Sequence, residues 1–115
     1  MEEQRDSLVI LWATGDRDVA LYSAFMYGLN SKLRGWWDDV TLIVWGSSSK
    51  LLANDIELQE HVTTMIEAGV VVEACKSCSD HFGVSGTLSN LGVDVKGMGE
   101  PLTSYLKEGR HVLTY

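Results

Sequence analysis

The sequence predicts an α/β fold built on a mainly parallel five-stranded sheet. Short, strongly apolar runs recur along the chain, and they suit strands that are buried on both faces. Amphipathic or capped helical patterns lie between these runs, and turns rich in glycine and serine follow them. Strands that alternate with helices are typical of a parallel sheet covered by helices. With 115 residues, residues 1–115 are expected to form a single three-layer α/β/α domain.

The first half of the chain contains two predicted strands and two predicted helices. Asp16 can cap the first helix, and glycine follows the end of both helices. In order, these elements are a strand over Ser7–Ala13, a helix from Asp16 to about Leu33, a strand over Val40–Trp45, and a helix from about Asp55 to Ala68.

The second half contains three further strands joined by short helices. Pro101 fits the start of the last helix, where its missing N–H costs nothing. In order, these elements are a strand over Val70–Ala74, short helices over Ser77–Phe82 and near Thr87–Leu91, a strand over Val93–Lys96, a helix from about Pro101 to Gly109, and a strand over His111–Tyr115.

Charge and hydropathy exclude several classes of function. The formal net charge of −7 repels phosphate backbones, and no basic stripe is present, so nucleic acid is not an expected partner. The apolar runs are far shorter than the roughly 20 residues of a membrane helix. Because the acidic N-terminus does not resemble a signal peptide, a cytoplasmic location is expected.

The helix from Asp16 is more apolar than a sheet-covering helix needs to be. Ala20, Ala24 and Tyr27 form one stripe, and Leu21, Phe25 and Leu29 form a second. Deep burial within one chain could explain both stripes. We favour the alternative that the second stripe packs on another copy of the chain, which predicts a homo-oligomer.

Ligands of parallel sheets bind beyond the carboxyl ends of the strands. The predicted turns there allow close backbone approach and offer N–H and hydroxyl donors, although turns favour glycine and serine for conformational reasons alone. No phosphate-loop spacing is present. The candidate ligand-binding residues are Thr14, Gly15, Asp16, Gly46, Ser47, Ser48, Lys76, Ser77, Gly97 and Met98.

Cys75 and Cys78 are the sharpest chemical signal. A cysteine that ends a strand and precedes a helix lies near unpaired N–H groups that favour a thiolate, and Cys78 would lie one turn away. Lys76 adds a positive charge, and His81 is a candidate proton donor. Two cysteines packed as small hydrophobic residues are the plain structural alternative.

Other cysteine chemistries fit less well. Cys75, Cys78 and His81 could bind zinc, but a closed structural site needs a fourth ligand. The order of elements around the motif differs from a thioredoxin-type oxidoreductase, and Cys75 stands where a receiver domain would have its phosphorylatable aspartate. No cofactor fingerprint is present, so no cofactor is expected.

The chain resembles the DsrE/DsrF-like family over about Leu8 to Tyr115. The segments that carry the resemblance are the first strand with its TGD turn, GWWDDVTLIVWG, GVVVEACKSCSDHFGV and LGVDVKGMGEPLTSYLKEG. This resemblance implies a three-layer domain, a variant of the flavodoxin-like arrangement, that assembles into trimers, hexamers or other oligomers.

In the sulfur-relay members of that family, a cysteine at this strand end carries sulfur as a persulfide. The resemblance therefore implies that Cys75 accepts sulfane sulfur from a donor protein and passes it to an acceptor, with Cys78 as a second thiol of less defined role. A non-catalytic oligomeric module that holds a small anion or nucleotide in the same crevice is the competing hypothesis. Whether the chain is an enzyme is left open by the sequence.

Overall fold

The computed structural model describes residues 6–115 and contains the predicted five-stranded sheet. All four strand pairings are parallel, and the strand order is β4-β3-β2-β1-β5. The strands are β1 (Ser7–Trp12), β2 (Asp39–Val44), β3 (Val71–Cys75), β4 (Asp94–Lys96) and β5 (His111–Thr114). The predicted α/β class and parallel sheet are therefore confirmed.

Helices connect every pair of consecutive strands. The first connection is one continuous helical run made of α1 (Arg17–Val19), a π-helical segment (Ala20–Phe25) and α2 (Met26–Leu33). The remaining helices are α3 (Ser47–Ala53), α4 (Ile56–Glu67), α5 (Lys76–His81), α6 (Ser85–Asn90) and α7 (Gly99–Lys107).

The two faces of the sheet are covered unequally. On the first face, Leu8, Ile10 and Leu42 of the sheet share a large core with residues of α2, α4, α6 and the π-helical segment. On the second face, Val9 and Ile43 share a smaller cluster with Met98, and α7 is the helix that packs there. This asymmetry follows from the topology, because the chain steps in one direction from β1 to β4 and then returns across the sheet to β5.

The π-helical segment changes which apolar residues of the first helical run are buried. Phe25 was expected in the outward stripe, but it is 3% exposed and its ring packs edge-on against Trp12, with centroids 4.8 Å apart. The residues left outside are instead Tyr22 and Met26. A π-helical turn bonds residues five apart rather than four, so it shifts the face that each following side chain occupies.

Helix α3 was missed by the sequence analysis, which placed only a serine-rich turn after β2. Serine is a poor helix former and gives no apolar periodicity. Gly46 starts the helix from a backbone conformation, φ 63° and ψ −133°, that suits glycine. Ser48 stabilises the start of this helix, because its buried Oγ accepts a hydrogen bond from the Trp45 N–H at 3.0 Å and donates one to the Trp12 carbonyl at 2.6 Å.

Within residues 6–115, no helix has both the length and the apolar character that crossing a bilayer requires.

Candidate functional site

The candidate site lies where the connections after β3 and β4 diverge. β3 leads through α5 to α6 on the first face, and β4 leads to α7 on the second face. Such a divergence opens a crevice at the carboxyl ends of the two strands. Cys75 and Lys96 are partners in the register of these strands, so both stand at that point.

Cys75 is both the last residue of β3 and the N-cap of α5. Its backbone is extended, with φ −66° and ψ 115°, and its Sγ accepts a hydrogen bond from the Cys78 N–H at 3.5 Å. The Ser79 hydroxyl donates to the Cys75 carbonyl at 2.8 Å. A thiol therefore occupies the position where Ser or Asp usually caps a helix, and the cap holds its sulfur at a fixed place.

Cys78 contacts Cys75 and the turn after β2. Burial, followed by the hydrogen bond with Cys75, raises the pKa of the Cys78 thiol, and the Gly46 backbone opposes this rise in part. Both cysteines are free thiols. Cys78 is therefore a protonated thiol at neutral pH, placed directly beside the sulfur of Cys75.

The structure brings the predicted turn residues close to other parts of the predicted crevice in two places. A Cβ at Gly15 would lie 3.5 Å from the Ser47 Cβ, which brings the turns after β1 and β2 together. Met98 is 1% exposed and shares an apolar cluster with Cys75, which brings the turn after β4 against β3. Gly97 is exposed beside it.

Three of the predicted ligand-binding side chains are already engaged within the chain. Thr14 Oγ1 accepts from the Asp16 N–H at 3.1 Å, and Asp16 caps α1 by accepting from Asp18 and Val19. Ser48 is fully buried, and its Oγ is hydrogen-bonded to the Trp45 N–H and the Trp12 carbonyl. These three polar groups support the turns, while Ser47 remains exposed.

Lys76, Ser77 and His81 lie on the exposed side of α5. Lys76 forms an ion pair with Asp80 at 2.6 Å, which, with the Ser85 hydroxyl, holds the pKa of Asp80 below its usual range. Ser77 is exposed. The ring of His81 packs edge-on against Phe82, with centroids 5.0 Å apart, at the far end of α5 from Cys75.

Residues 6–115 contain no cluster of three or more His, Cys, Asp or Glu side chains arranged to hold a metal ion.

A charged network next to Cys75 was missed by the sequence analysis. Glu73 lies two residues before Cys75 and is 3% exposed, and its carboxylate accepts from the Tyr105 hydroxyl at 2.5 Å. Lys96 Nζ lies 2.6 Å from the same carboxylate and 2.8 Å from Asp94. The signal that could have revealed it is a single glutamate inside an otherwise apolar strand, since a buried carboxylate needs partners.

This network shifts two pKa values. Burial, followed by the hydrogen bond to Glu73, raises the pKa of Tyr105 to about 12. Asp94 and Glu73 hold the pKa of Lys96 well above its usual value. At neutral pH the phenol is therefore a hydrogen-bond donor and Lys96 is a cation, as the geometry requires.

A parallel α/β sheet with a pair of thiols at the crevice defines this chain as a small cysteine-bearing α/β protein. Comparison with known proteins then gives the family. The model of the DsrE/DsrF-like family matches residues 13–115, so the chain belongs to the DsrE/DsrF-like family.

Two solved structures share the fold of this chain. The chain is similar to a conserved protein of unknown function, BT1422 from Bacteroides thetaiotaomicron, with 45% sequence identity and a TM-score of 0.93 over 96% of this chain and 95% of that one. It is also similar to the ychN protein from E. coli, with 15% identity and a TM-score of 0.72 over 97% of this chain and all of that one, a likeness that concerns the fold. No protein of curated function matches the chain.

Proposed function

We propose that the protein carries sulfane sulfur as a persulfide on Cys75. The observation that carries this proposal is the placement of the Cys75 sulfur at the carboxyl end of β3, fixed by its helix cap and adjacent to a second thiol. Family membership supports it, since the family is related to sulfur relay. The proposed compartment is the reducing cytoplasm, where both thiols would stay free.

The proposed loading step is a thiol exchange without net oxidation. The Cys75 thiolate attacks the outer sulfur of a donor persulfide, the donor S–S bond breaks, and the donor leaves as a thiolate. The product is Cys75–S–SH. An acceptor thiolate then attacks that outer sulfur and regenerates the Cys75 thiolate.

Cys78 offers a second outcome for the loaded protein. Its thiolate can attack the inner sulfur of Cys75–S–SH, which forms a Cys75–Cys78 disulfide and expels the outer sulfur as hydrosulfide. In this step the outer sulfur is reduced and the Cys78 sulfur is oxidised, while the oxidation state of the Cys75 sulfur does not change. Because the Cys78 pKa is raised, this release is slow at neutral pH and becomes faster as the pH rises.

Intact-mass spectrometry after exposure to a persulfide donor tests the proposal. Wild type and Cys78→Ser are expected to gain one sulfur atom, and Cys75→Ser is expected to gain none. The Cys78→Ser protein is the matched control, because it loses one thiol from the same helix turn. Equal loading of Cys75→Ser would show that Cys75 is not the acceptor.

Anion or nucleotide binding in the crevice has less support. The side chains of Thr14, Asp16 and Ser48, which would contribute to it, already serve the turns and helix caps.

We also propose that the chain forms a homo-oligomer through the surface left open by the π-helical segment. A groove of about 440 Å³ lies there between Tyr22 and Met26 on one side and Trp36 and Leu113 on the other. These four side chains are 40–65% exposed. The side chains that line the groove carry no charge in a chain of net charge −7, so those of a second copy can approach them without like-charge repulsion.

Met26→Asp is expected to convert the oligomer to a monomer, because it places a charge in the centre of this surface. Light scattering during size-exclusion chromatography measures the mass directly. Ile56→Asp is the control, since Ile56 is 73% exposed away from the groove and an acidic residue suits the first turn of α4. A monomeric wild type, or an unchanged mass for Met26→Asp, would contradict the proposed interface.

A further inference from the structure

Cys75 is almost fully covered, although any exchange at its sulfur needs an approaching group. The residue is 6% exposed. Met98 packs in the same cluster, together with Val9 and Ile43 of the sheet. Two residues of α7, Leu102 and Tyr105, pack against this cluster.

Helix α7 is less buried than the other long helices, since α2 and α4 each contain fully buried residues. None of its residues is fully buried, and Leu106 is 55% exposed. Gly97 precedes the segment that contains Met98 and α7, and Gly109, with φ 81°, follows it. Gly99 lies within the segment as the first residue of α7. A Cβ at Gly97 or Gly99 would meet nothing within 4 Å, so packing does not require glycine there. What these two glycines supply is conformational freedom.

One buried polar contact ties α7 to the sheet. The Tyr105 hydroxyl donates to Glu73 at 2.5 Å, and Glu73 lies on β3 two residues from Cys75, on the same face of the strand. Lys96 holds the same carboxylate from β4. On its outer side, the Tyr105 ring is covered by the Arg110 guanidinium, 4.4 Å from its centroid.

We propose that Met98 and α7 form a cover over Cys75 that opens about the flanking glycines, and that Glu73 and Tyr105 are positioning residues that hold the cover closed. The cover would regulate the access of a sulfur donor to the Cys75 thiol. Only this role rests on the proposed function. Access itself can be measured without any sulfur donor, so the two proposals fail separately.

The test is the rate at which iodoacetamide, a small neutral reagent, alkylates Cys75 in a Cys78→Ser background. Tyr105→Phe keeps the ring but removes the hydrogen bond to Glu73, so the open population should increase. We expect the rate at the high-pH plateau to rise about five- to tenfold. Ser104→Ala is the matched control, because it also removes one hydroxyl group from α7, at an exposed position outside the contact with Glu73, and its rate should equal that of the parent.

A pH series separates access from acidity. Loss of the cover raises the plateau rate and leaves the midpoint of the profile in place, whereas a changed thiol pKa moves the midpoint. The titratable groups near Cys75 on the elements packed around it are Cys78, Lys96, Glu73 and Tyr105, and the Cys78→Ser background removes the first of them.

Equal plateau rates in Tyr105→Phe, Ser104→Ala and the parent would overturn the cover. Leu102→Ala provides a second measurement should Tyr105→Phe not fold, since it weakens the apolar contact of α7 and predicts the same rise. Faster alkylation without sulfur loading would retain the cover and reject the sulfur carrier. Sulfur loading with an unchanged rate of alkylation would retain the sulfur carrier and reject the cover.

Discussion

Lys96→Met is expected to destabilise the protein by about 2 kcal/mol at neutral pH, because it leaves the buried Glu73 carboxylate without its cation. The loss is smaller than for a fully enclosed ion pair, since the Lys96 side chain is 41% exposed and Tyr105 still donates to the carboxylate. Denaturant unfolding measures the difference. Lys107→Met removes an exposed lysine of α7 and should change stability by less than about 0.5 kcal/mol.

A second background identifies the carboxylate as the cause. Glu73→Gln removes the buried charge and keeps the size of the side chain, so Lys96→Met should cost much less in that background than in the wild type. A Lys96→Met deficit that is equal in the two backgrounds, or one no larger than that of Lys107→Met, would contradict the assignment.

Trp12→Ala should destabilise the protein by about 4 kcal/mol, since it removes the largest fully buried side chain of the core. The cavity would open under the π-helical segment, where the Phe25 ring rests against Trp12. Trp36→Ala is the matched control, because Trp36 is 53% exposed, and its effect on the monomer should stay below about 1 kcal/mol. Similar losses in the two variants would show that Trp12 is not a core anchor.

The predictions that succeeded rest on strong local signals. The run Val40–Trp45 is apolar except for Thr41, and the central strand β2 has every residue from Val40 to Val44 buried. Asp16 and Asp55 were expected to mark helix starts, and both side chains accept backbone N–H groups there. Cys75 follows an apolar run, so its position at a strand end was readable from the sequence.

The features that were missed depend on contacts between distant residues. The Glu73–Tyr105 hydrogen bond joins residues 32 apart, so the sequence shows an unexplained glutamate but not its partner. Phe25 was assigned to the wrong side because no sequence pattern marks a π-helical turn. Met98 joins the cluster that contains Cys75 because the chain returns across the second face of the sheet, which local patterns do not encode.

The most direct test of the central claim is to locate the sulfur atom after loading the wild type with a persulfide donor. Trypsin cleaves after Lys76, so it separates Cys75 and Cys78 into different peptides. After iodoacetamide blocks free thiols and persulfides, tandem mass spectrometry of the two peptides shows where the extra sulfur is held. The account predicts extra sulfur on the peptide that ends Ala74-Cys75-Lys76. Sulfur found only on the Cys78 peptide, or on neither peptide, would contradict it.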